Sequence, residues 1–404
     1  MITKKLVLFG AGNIGRSFIG QLFSRAGYEV VFIDVNDTLI TALNERREYR
    51  IIIKRNDQPD ETLSIQHVRG VHGKNLDEAS REIASASILA TAVGKGALPY
   101  ILPTLADGLK RRQQEYGDLP IDMIMAENYR HISDYVRDNL RQYLPPAYPL
   151  ESLLGLVETS IGKMVPIMKD EDMRRDPLWV FAEAYNELIL DKYGFKNPIP
   201  DVPGIAPKEN MQAYVDRKLF IHNLGHAATA YLGYQQNPTL EYIYEPLAIP
   251  TLFEKVRATM LQSAVALNKA YPADLTMPDL NAHIDDLLER FRNRALGDTI
   301  FRVGRDLPRK LEKNDRLVGA MLLAIRQNCP CDLIAAAVVA ACSFRAADEH
   351  GKLFPADDAF ATRDFPAGLE HILANICHLS SAVSEEAAVM VAIHSAFHSS
   401  TSRP

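Results

Sequence analysis

The sequence predicts two domains: an α/β domain built on a doubly wound parallel sheet, followed by a mostly helical domain. Short apolar runs alternate with helix patterns up to about residue 195, a Pro- and Gly-rich segment occupies 193–204, and helical periodicity dominates beyond it. We therefore predict domains at 1–195 and 196–404, with the hinge in that segment. With 404 residues and 47% hydrophobic content, the chain can form two sizeable cores.

The α/β domain opens with a glycine-rich turn. A buried strand is predicted at 6–9, a helix at 16–26 and a second strand at 29–33, and Gly-Ala-Gly-Asn-Ile-Gly at 10–15 joins the first two. Asp34 ends the second strand, about 20 residues after the last glycine, as in Rossmann-type dinucleotide-binding domains. A carboxylate there favours NAD, because it would repel the 2′-phosphate of NADP.

Two later strands are expected to bring polar residues to the same edge of the sheet. The strand at 88–91 leads into Thr-Ala-Val-Gly at 91–94, and the strand at 121–126 is followed by Glu127 and Asn128. Ligands bind outside the carboxyl ends of such strands, although a strand-to-helix turn or a turn asparagine would give the same patterns. The predicted cofactor contacts are Gly10, Gly12, Asn13, Ile14, Gly15, Asp34, Asn36, Thr91, Val93 and Gly94.

Near the middle of the chain, Lys218, Asn223 and His226 form the pattern K-x-x-x-x-N-x-x-H. On a regular α-helix, Asn223 and His226 lie about 140° and about 80° around the axis from Lys218, so all three face one broad sector. A lysine whose pKa is lowered can remove the proton of an alcohol while a cofactor takes the hydride, and an amide can stabilise the alkoxide. The alternative is an ordinary amphipathic helix.

Four cations lie close together further along the chain: Arg302, Arg305, Arg309 and Lys310. If this segment is compact, its guanidinium groups converge, and arginine is suited to bidentate recognition of phosphate. The alternative is a solvated basic face that pairs with Glu312 and Asp315.

Together, these motifs resemble those of the polyol-specific long-chain dehydrogenases, in the same order from residue 5 to about 345. The resemblance implies an active site between the two domains, with Lys218 as general base, Asn128 and Asn223 on the substrate oxygen, and His226 positioning the lysine or the substrate. It places Arg302 and Lys310 beside the substrate and suggests that Arg305 and Arg309 hold a sugar phosphate.

The reaction that the resemblance implies is the reversible, NAD-dependent and metal-independent oxidation of a sugar-alcohol phosphate, with mannitol 1-phosphate going to fructose 6-phosphate. One departure concerns the substrate: Gly162 and Lys163 stand where the family usually has Asp-Arg. The alternatives are the same chemistry on an unphosphorylated polyol or a hexuronate and, more distantly, a dinucleotide-binding sensor without catalysis.

Composition excludes several other classes. A net charge of −6 without a long basic block argues against nucleic acid as a partner, and the apolar run at 333–344 is too short to span a membrane. With no leader pattern, we expect a cytoplasmic protein, and we expect a monomer. Cys329 and Cys331 lack the further ligands of a metal site, as do His394 and His398, so we predict reduced thiols and solvated histidines.

Overall fold

A computed structural model describes residues 4–56, 58–127, 131–166, 168 and 170–401. The chain divides into two compact units, residues 1–214 and residues 215–404. The first combines strands and helices and the second is helical, which confirms the predicted fold class.

The first unit alternates strands with helices along the chain. Its strands are β1 (Lys5–Phe9), β2 (Glu29–Asp34), β3 (Glu48–Ile53), β4 (Glu61–Gln66), β5 (Val68–His72), β6 (Ile88–Thr91), β7 (Ile121–Met125), β8 (Leu154–Ser160), β9 (Trp179–Ala182), β10 (Leu188–Asp191) and β11 (Ile205–Lys208). Its α-helices are α1 (Gln21–Arg25), α2 (Asp37–Arg46), α3 (Leu76–Ser85), α4 (Leu98–Tyr116), α5 (Ile132–Leu140), α6 (Leu150–Leu153) and α7 (Asp170–Arg175), and a π-helix at Gly15–Gly20 precedes α1.

The main sheet has the topology of a dinucleotide-binding domain. Its parallel strands run in the order β5-β2-β1-β6-β7-β8, and β10 and β11 extend it beyond β8, to which β10 is antiparallel. In chain order the six parallel strands read 3-2-1-4-5-6, the usual Rossmann arrangement. The order reverses between β1 and β6, so the crevice that receives a ligand in such folds lies at their carboxyl ends.

Alternation along β1 packs both faces of the sheet. Leu6 and Leu8 point into one core with Phe18, while Val7 and Phe9 point into the other core. All five β1 side chains are buried, as expected for a strand covered on both faces. Packing on both faces fixes the position of β1 and therefore of the glycine-rich turn that follows it.

A second, three-stranded sheet in the order β4-β3-β9 lies beside the main one among the described strands. Its central strand β3 pairs with β4, which follows it in the chain, and with the distant β9.

The Pro-rich segment at 193–204, interpreted above as the hinge, instead connects β10 to β11, which pair with each other. Its prolines lie in the connection between the two strands, so they remove no hydrogen bond from the sheet. The division into units falls after Tyr214, because a boundary after residue 195 would separate two paired strands.

From Met211 onward the described chain is helical. The α-helices are α8 (Met211–Arg217), α9 (Leu224–Gln236), α10 (Tyr244–Leu247), α11 (Pro250–Ala270), α12 (Met277–Phe291), α13 (Ile300–Gly304), α14 (Leu307–Leu311), α15 (Val318–Arg326), α16 (Asp332–Cys342), α17 (Pro355–Ala359), α18 (Leu369–His371) and α19 (Ser384–Thr401). Three π-helices join some of them, at Lys218–Asn223, Phe360–Asp364 and Ile372–Ile376. The helical periodicity predicted for this part of the chain is thus confirmed.

The cysteines are free and buried, in agreement with the predicted thiols. Burial raises the pKa of Cys331 to about 11 and that of Cys342 to about 12, so neither is a reactive thiolate at neutral pH. His394 lies 2.9 Å from a carboxylate oxygen of Glu370 rather than standing alone in solvent. Within the described ranges, no group of three or more His, Cys, Asp or Glu residues could hold a metal ion, and no helix has the length and apolarity needed to cross a bilayer.

Candidate active site

The glycine-rich turn leaves β1 at the reversal point of the sheet. Gly10 has φ +98°, and a Cβ there would lie 2.6 Å from the Ala92 carbonyl oxygen. A Cβ on Gly15 would lie 2.1 Å from the Gly10 carbonyl oxygen, whereas a Cβ on Gly12 would meet no described heavy atom within 4 Å. Gly12 and Asn13 are exposed and Ile14 is half-buried. The turn is therefore closed at its ends and open in its middle.

Asp34, at the end of β2, holds this turn. One carboxylate oxygen accepts from the Ala11 N–H at 2.7 Å, and the other accepts from the Asn36 N–H at 3.0 Å. The Asn36 side chain caps α2 by accepting from the Leu39 N–H at 3.0 Å. The predicted cofactor residue Asn36 thus has a structural role in this unit.

Glu127, which follows β7, organises the end of β6. Its carboxylate accepts from the Thr91 hydroxyl at 2.6 Å and from the Val93 N–H at 3.0 Å. Burial raises the pKa of Glu127, and these two hydrogen bonds oppose the rise. Because the Thr91 side chain is buried against Glu127, a ligand contact from 91–94 would come from the backbone, where Gly94 has φ +78°. Asn128 lies outside the described residues.

The departure at Gly162 and Lys163 lies in a fixed part of the first unit. The Lys163 ammonium is buried, donates to the Tyr185 carbonyl at 2.8 Å and to the Asn186 side-chain oxygen at 3.1 Å, and lies 5.3 Å from the centre of the Phe18 ring. A Cβ on Gly162 would be in ordinary contact with the Tyr185 ring, starting at 3.4 Å. Lys163 therefore has a structural role within this unit.

In the second unit, the lysine motif lies on a π-helix rather than on a regular α-helix. The π-helix runs over Lys218–Asn223, and the Leu224 N–H donates to the Leu219 carbonyl five residues before it. Because a π-helix has more residues per turn, the 100° step used above is too large here. Such insertions in a helix are frequent at functional sites.

Lys218 is partly buried at the start of the π-helix. Burial lowers the pKa of its ammonium to about 8, and the charge of Arg316 contributes further. Asn223 ends the same π-helix and is half-buried. An amine with this pKa is partly neutral at physiological pH and can accept a proton.

His226 lies three residues beyond the π-helix and stacks on Phe291, with ring centroids 4.6 Å apart and planes at 10°. Its Nε2 is 3.3 Å from a carboxylate oxygen of Asp298. Burial and the nearby charges of Arg302, Lys310 and Arg316 lower the pKa of His226 well below its ordinary value. The ring is therefore neutral at pH 7 and can accept or donate a hydrogen bond.

Asp298 links His226 to the predicted substrate segment. It is 7% exposed, and its second carboxylate oxygen forms an ion pair with Arg302. Thr299 caps α13, with its hydroxyl accepting from the Arg302 N–H at 3.1 Å. The pair Asp298–Arg302 has the i, i+4 spacing of helical ion pairs, which is a signal in the sequence that we did not use.

Lys310 is buried on α14. Its ammonium donates to the Val303 carbonyl at 2.6 Å and to the Arg305 carbonyl, so it caps the end of α13. Burial lowers the pKa of Lys310 to about 7, and Arg316 and Arg309 add to this effect. The segment that carries the four cations is thus compact, as the convergence hypothesis requires.

The remaining two arginines of this segment differ in their surroundings. The Arg305 guanidinium lies 5.7 Å from the Phe301 ring centre and 5.4 Å from that of Phe354. Burial lowers the pKa of Arg302, and the charge of Arg305 lowers it further. Arg309 forms ion pairs with Asp306 and, at 3.3 Å, with Asp315. Arg302, which pairs with Asp298, and Arg305 are therefore neighbouring cations, whereas Arg309 pairs with two carboxylates.

Sequence reasoning missed Arg316, although its charge acts on Lys218, His226 and Lys310 together. Arg316 precedes α15 and pairs with Asp315 at 2.6 Å. It also missed Phe291 on α12, the stacking partner of His226. Nothing in their local sequence distinguishes either residue, because both reach the cluster only through helix packing.

A Rossmann-type unit followed by a helical unit that carries a lysine of lowered pKa and a neutral histidine fits a dehydrogenase with separate dinucleotide-binding and helical domains. The chain belongs to the mannitol dehydrogenase family, because the family's Rossmann-domain model matches residues 4–204 and its C-terminal-domain model matches residues 210–398. This confirms the resemblance and makes the chain an oxidoreductase of the polyol dehydrogenase type.

Among curated relatives, the chain is similar to mannitol-1-phosphate 5-dehydrogenase of Brevibacillus brevis. The two are 32% identical over 341 residues, and this stretch covers 84% of this chain and 85% of the relative. Among solved structures, it is similar to Pseudomonas fluorescens mannitol 2-dehydrogenase in a ternary complex with NAD and D-mannitol, at a TM-score of 0.73 and 15% identity over 99% of this chain and 92% of the other. A D-sorbitol dehydrogenase in substrate-free form gives a TM-score of 0.76 at 15% identity, over 97% of this chain and 93% of the other. At this identity both structures show the fold alone.

Proposed function

We propose that the protein catalyses the reversible, NAD-dependent oxidation of mannitol 1-phosphate to fructose 6-phosphate. The observation that carries this proposal is a partly buried Lys218 whose pKa is near 8, in a cluster with neutral His226 and with the cations Arg302 and Arg316. The named activity of the Brevibacillus brevis relative supports the choice of a phosphorylated substrate.

The residues of the first unit fit a dinucleotide. The open space above Gly12 allows close approach of a diphosphate to the backbone, while Gly10 and Gly15 close the turn. Asp34 would hold the adenosine ribose, and the backbone of 91–94 would border the nicotinamide ribose. When bound, NAD accepts the hydride from the alcohol carbon.

Lys218 acts as the general base in this proposal. In its neutral form, its Nζ takes the hydroxyl proton of the alcohol, and in the reverse reaction the ammonium returns that proton to the ketone oxygen. Asn223 would donate a hydrogen bond to the developing alkoxide. His226, held on Phe291 and beside Asp298, would orient Lys218 or a substrate hydroxyl.

Substrate phosphate would be recognised mainly by Arg305 together with Arg302. The two guanidinium groups are neighbours, and within the described part of the chain no ion pair joins Arg305 to a carboxylate. Lys310 would support them indirectly, because its ammonium binds the carbonyl of Arg305. Arg309 is the weaker candidate, because Asp306 and Asp315 already pair with it.

The direct test compares NADH oxidation with fructose 6-phosphate and with fructose. We expect kcat/KM to be higher for the phosphorylated ketose by roughly 10²- to 10⁴-fold, since two charge-assisted contacts contribute about 1.5–3 kcal/mol each. Arg305→Ala should lower only the rate with fructose 6-phosphate, and Arg309→Ala should have the smaller effect. Equal rates with both ketoses in the wild type would reject the phosphate assignment.

A second candidate is the same chemistry on an unphosphorylated polyol. The neutralisation of Arg309 by two carboxylates favours it, because it removes one of the predicted phosphate ligands. In the opposite direction, with NAD as the cofactor, this candidate predicts that mannitol or sorbitol is oxidised as fast as mannitol 1-phosphate.

Asp298 should matter for substrate affinity because it pairs with Arg302 and borders His226. We expect Asp298→Asn to lower kcat/KM for the ketose phosphate by about 10- to 100-fold, since a hydrogen bond to a charged group is worth about 1.5–3 kcal/mol. Steady-state kinetics with both substrates measures the effect, and the Kd for NAD should stay unchanged.

Asp364 provides a matched control for Asp298→Asn. It is also a buried aspartate with one arginine partner, Arg363 at 3.2 Å, and one histidine partner, His371 at 3.0 Å. Asp364→Asn should leave kcat/KM close to that of the wild type. Similar losses in both variants would mean that Asp298 acts only on the stability of the helical unit.

A further inference from the structure

Arg16 is a buried charge directly behind the glycine-rich turn. It follows Gly15 and is 5% exposed, and its hydrogen-bond partner Ala11 belongs to the apolar core of the first unit. Its Nε donates to the Ala11 carbonyl at 2.7 Å, and its Nη1 donates to the carbonyls of Pro177 at 3.3 Å and Trp179 at 3.4 Å. Burying a guanidinium is costly, so a buried arginine with these contacts requires an explanation.

The contact with Ala11 lies in the centre of the turn, between Gly10 and Gly12. The Ala11 carbonyl accepts from Arg16, and the Ala11 N–H donates to the Asp34 carboxylate at 2.7 Å. The residue between the two glycines is thus held on both sides by charged groups. Asp34 is the residue proposed above to bind the adenosine ribose, so the same chain of contacts orients both the turn and the carboxylate.

Arg16 is itself held by the second sheet. Trp179 is the first residue of β9, and Pro177 precedes it. The Tyr49 hydroxyl, from β3, donates to the Arg16 carbonyl at 2.6 Å. Residues in or next to β3 and β9 of the three-stranded sheet therefore bind Arg16, and its guanidinium donates both to the Ala11 carbonyl and to carbonyls at the start of β9.

A second buried arginine, Arg112, serves as a control for the effect of burial alone. Arg112 is 3% exposed and donates to the carbonyls of Ala84 and Ala86, each at 2.8 Å. These carbonyls precede β6, so Arg112 lies at the amino-terminal edge of the parallel sheet, opposite the glycine-rich turn. Arg112 shares the burial and the carbonyl contacts of Arg16 without its connection to the turn.

We propose that Arg16 is a positioning residue that presets the glycine-rich turn for the diphosphate of the cofactor, and that the three-stranded sheet holds Arg16 in place. This inference rests on the proposed NAD-dependent function. Without the guanidinium, the Ala11 peptide loses its partner on one side, and the turn must be ordered when the cofactor binds. The loss should therefore appear in cofactor affinity rather than in the chemical step.

The test measures NAD binding by titration calorimetry, kcat at saturating NAD, and thermal unfolding in Arg16→Met, Arg16→Lys and Arg112→Met. We expect the Kd for NAD to rise at least tenfold in Arg16→Met, with kcat within about twofold of the wild type. Arg16→Lys should recover part of the affinity, because an ammonium can still donate to the Ala11 carbonyl. Arg112→Met should lower the unfolding temperature but leave the Kd for NAD within about twofold.

Two results would overturn the inference: a wild-type Kd in Arg16→Met, or an equal rise in Kd in Arg112→Met. If Arg16→Met does not fold, Arg16→Lys and Arg112→Lys are compared in its place by the same criterion. A wild-type protein that binds no NAD would instead reject the proposed function, and this inference with it. Binding of NAD by the wild type together with an unaffected Arg16→Met rejects the inference alone.

Discussion

Replacing Lys218 by alanine is expected to lower kcat by roughly 10²- to 10⁴-fold, the contribution typical of a positioned general base. The Kd for NAD should be unchanged, because the glycine-rich turn belongs to the other unit. In the wild type, Lys218 must be neutral to accept the alcohol proton, and its pKa is about 8. The rate of polyol oxidation should therefore rise about tenfold per pH unit below pH 8 and then level off, while ketose reduction falls above pH 8.

Chemical rescue gives the control for the Lys218 variant. Added primary amines should restore part of the activity of Lys218→Ala, because they supply the missing base. Lys5 is a matched buried lysine whose ammonium is 2.7 Å from a carboxylate oxygen of Glu82, and Lys5→Ala should keep its kcat and gain nothing from amines. Activity in Lys218→Ala within tenfold of the wild type would show that the base lies elsewhere.

Replacing Gly15 by alanine is expected to raise the Kd for NAD by roughly 100-fold or more. The added Cβ would lie 2.1 Å from the Gly10 carbonyl oxygen and 3.2 Å from its carbon, and backbone atoms cannot move aside as a flexible side chain would. Overpacking of this kind costs about 1–3 kcal/mol of folding free energy. Calorimetric NAD titration and thermal unfolding should therefore both change.

Gly12→Ala separates the two effects. A Cβ on Gly12 would meet no described protein atom within 4 Å, so the unfolding temperature should remain that of the wild type. The methyl group would occupy the space through which the diphosphate approaches, so NAD affinity should still fall. Unchanged affinity in Gly12→Ala would mean that the cofactor does not use this space.

The central fold could be predicted where the signals are local. The runs at 6–9, 88–91 and 121–126 became β1, β6 and β7 within one residue of their predicted ends, because buried parallel strands are continuous apolar segments. The pairing of β3 with β9 could not be predicted, since it joins segments far apart in the chain. The Pro-rich connection before β11 was misinterpreted because prolines also occur beside edge strands.

Of the candidate site, the sequence could indicate only the side chains that we propose to be catalytic. Lys218 and His226 were singled out by their spacing, but the groups around them come from other segments of the chain. Arg316, before α15, lowers the pKa of both side chains, and Asp298, before α13, contacts His226. The sequence also showed four cations in one segment without showing their partners. Only the folded chain reveals that Arg309 is neutralised and that Lys310 binds carbonyl groups.

The π-helix at Lys218–Asn223 has a consequence for changes in chain length. A π-turn is equivalent to one extra residue in a regular α-helix, so deleting one residue between Lys218 and His226 would let α8 and α9 join into a continuous helix. Such a deletion would preserve backbone hydrogen bonding and yet rotate His226 and all of α9 by about 100° relative to Lys218. The number of residues in this helix is therefore constrained by the geometry of the site more strongly than by helix formation.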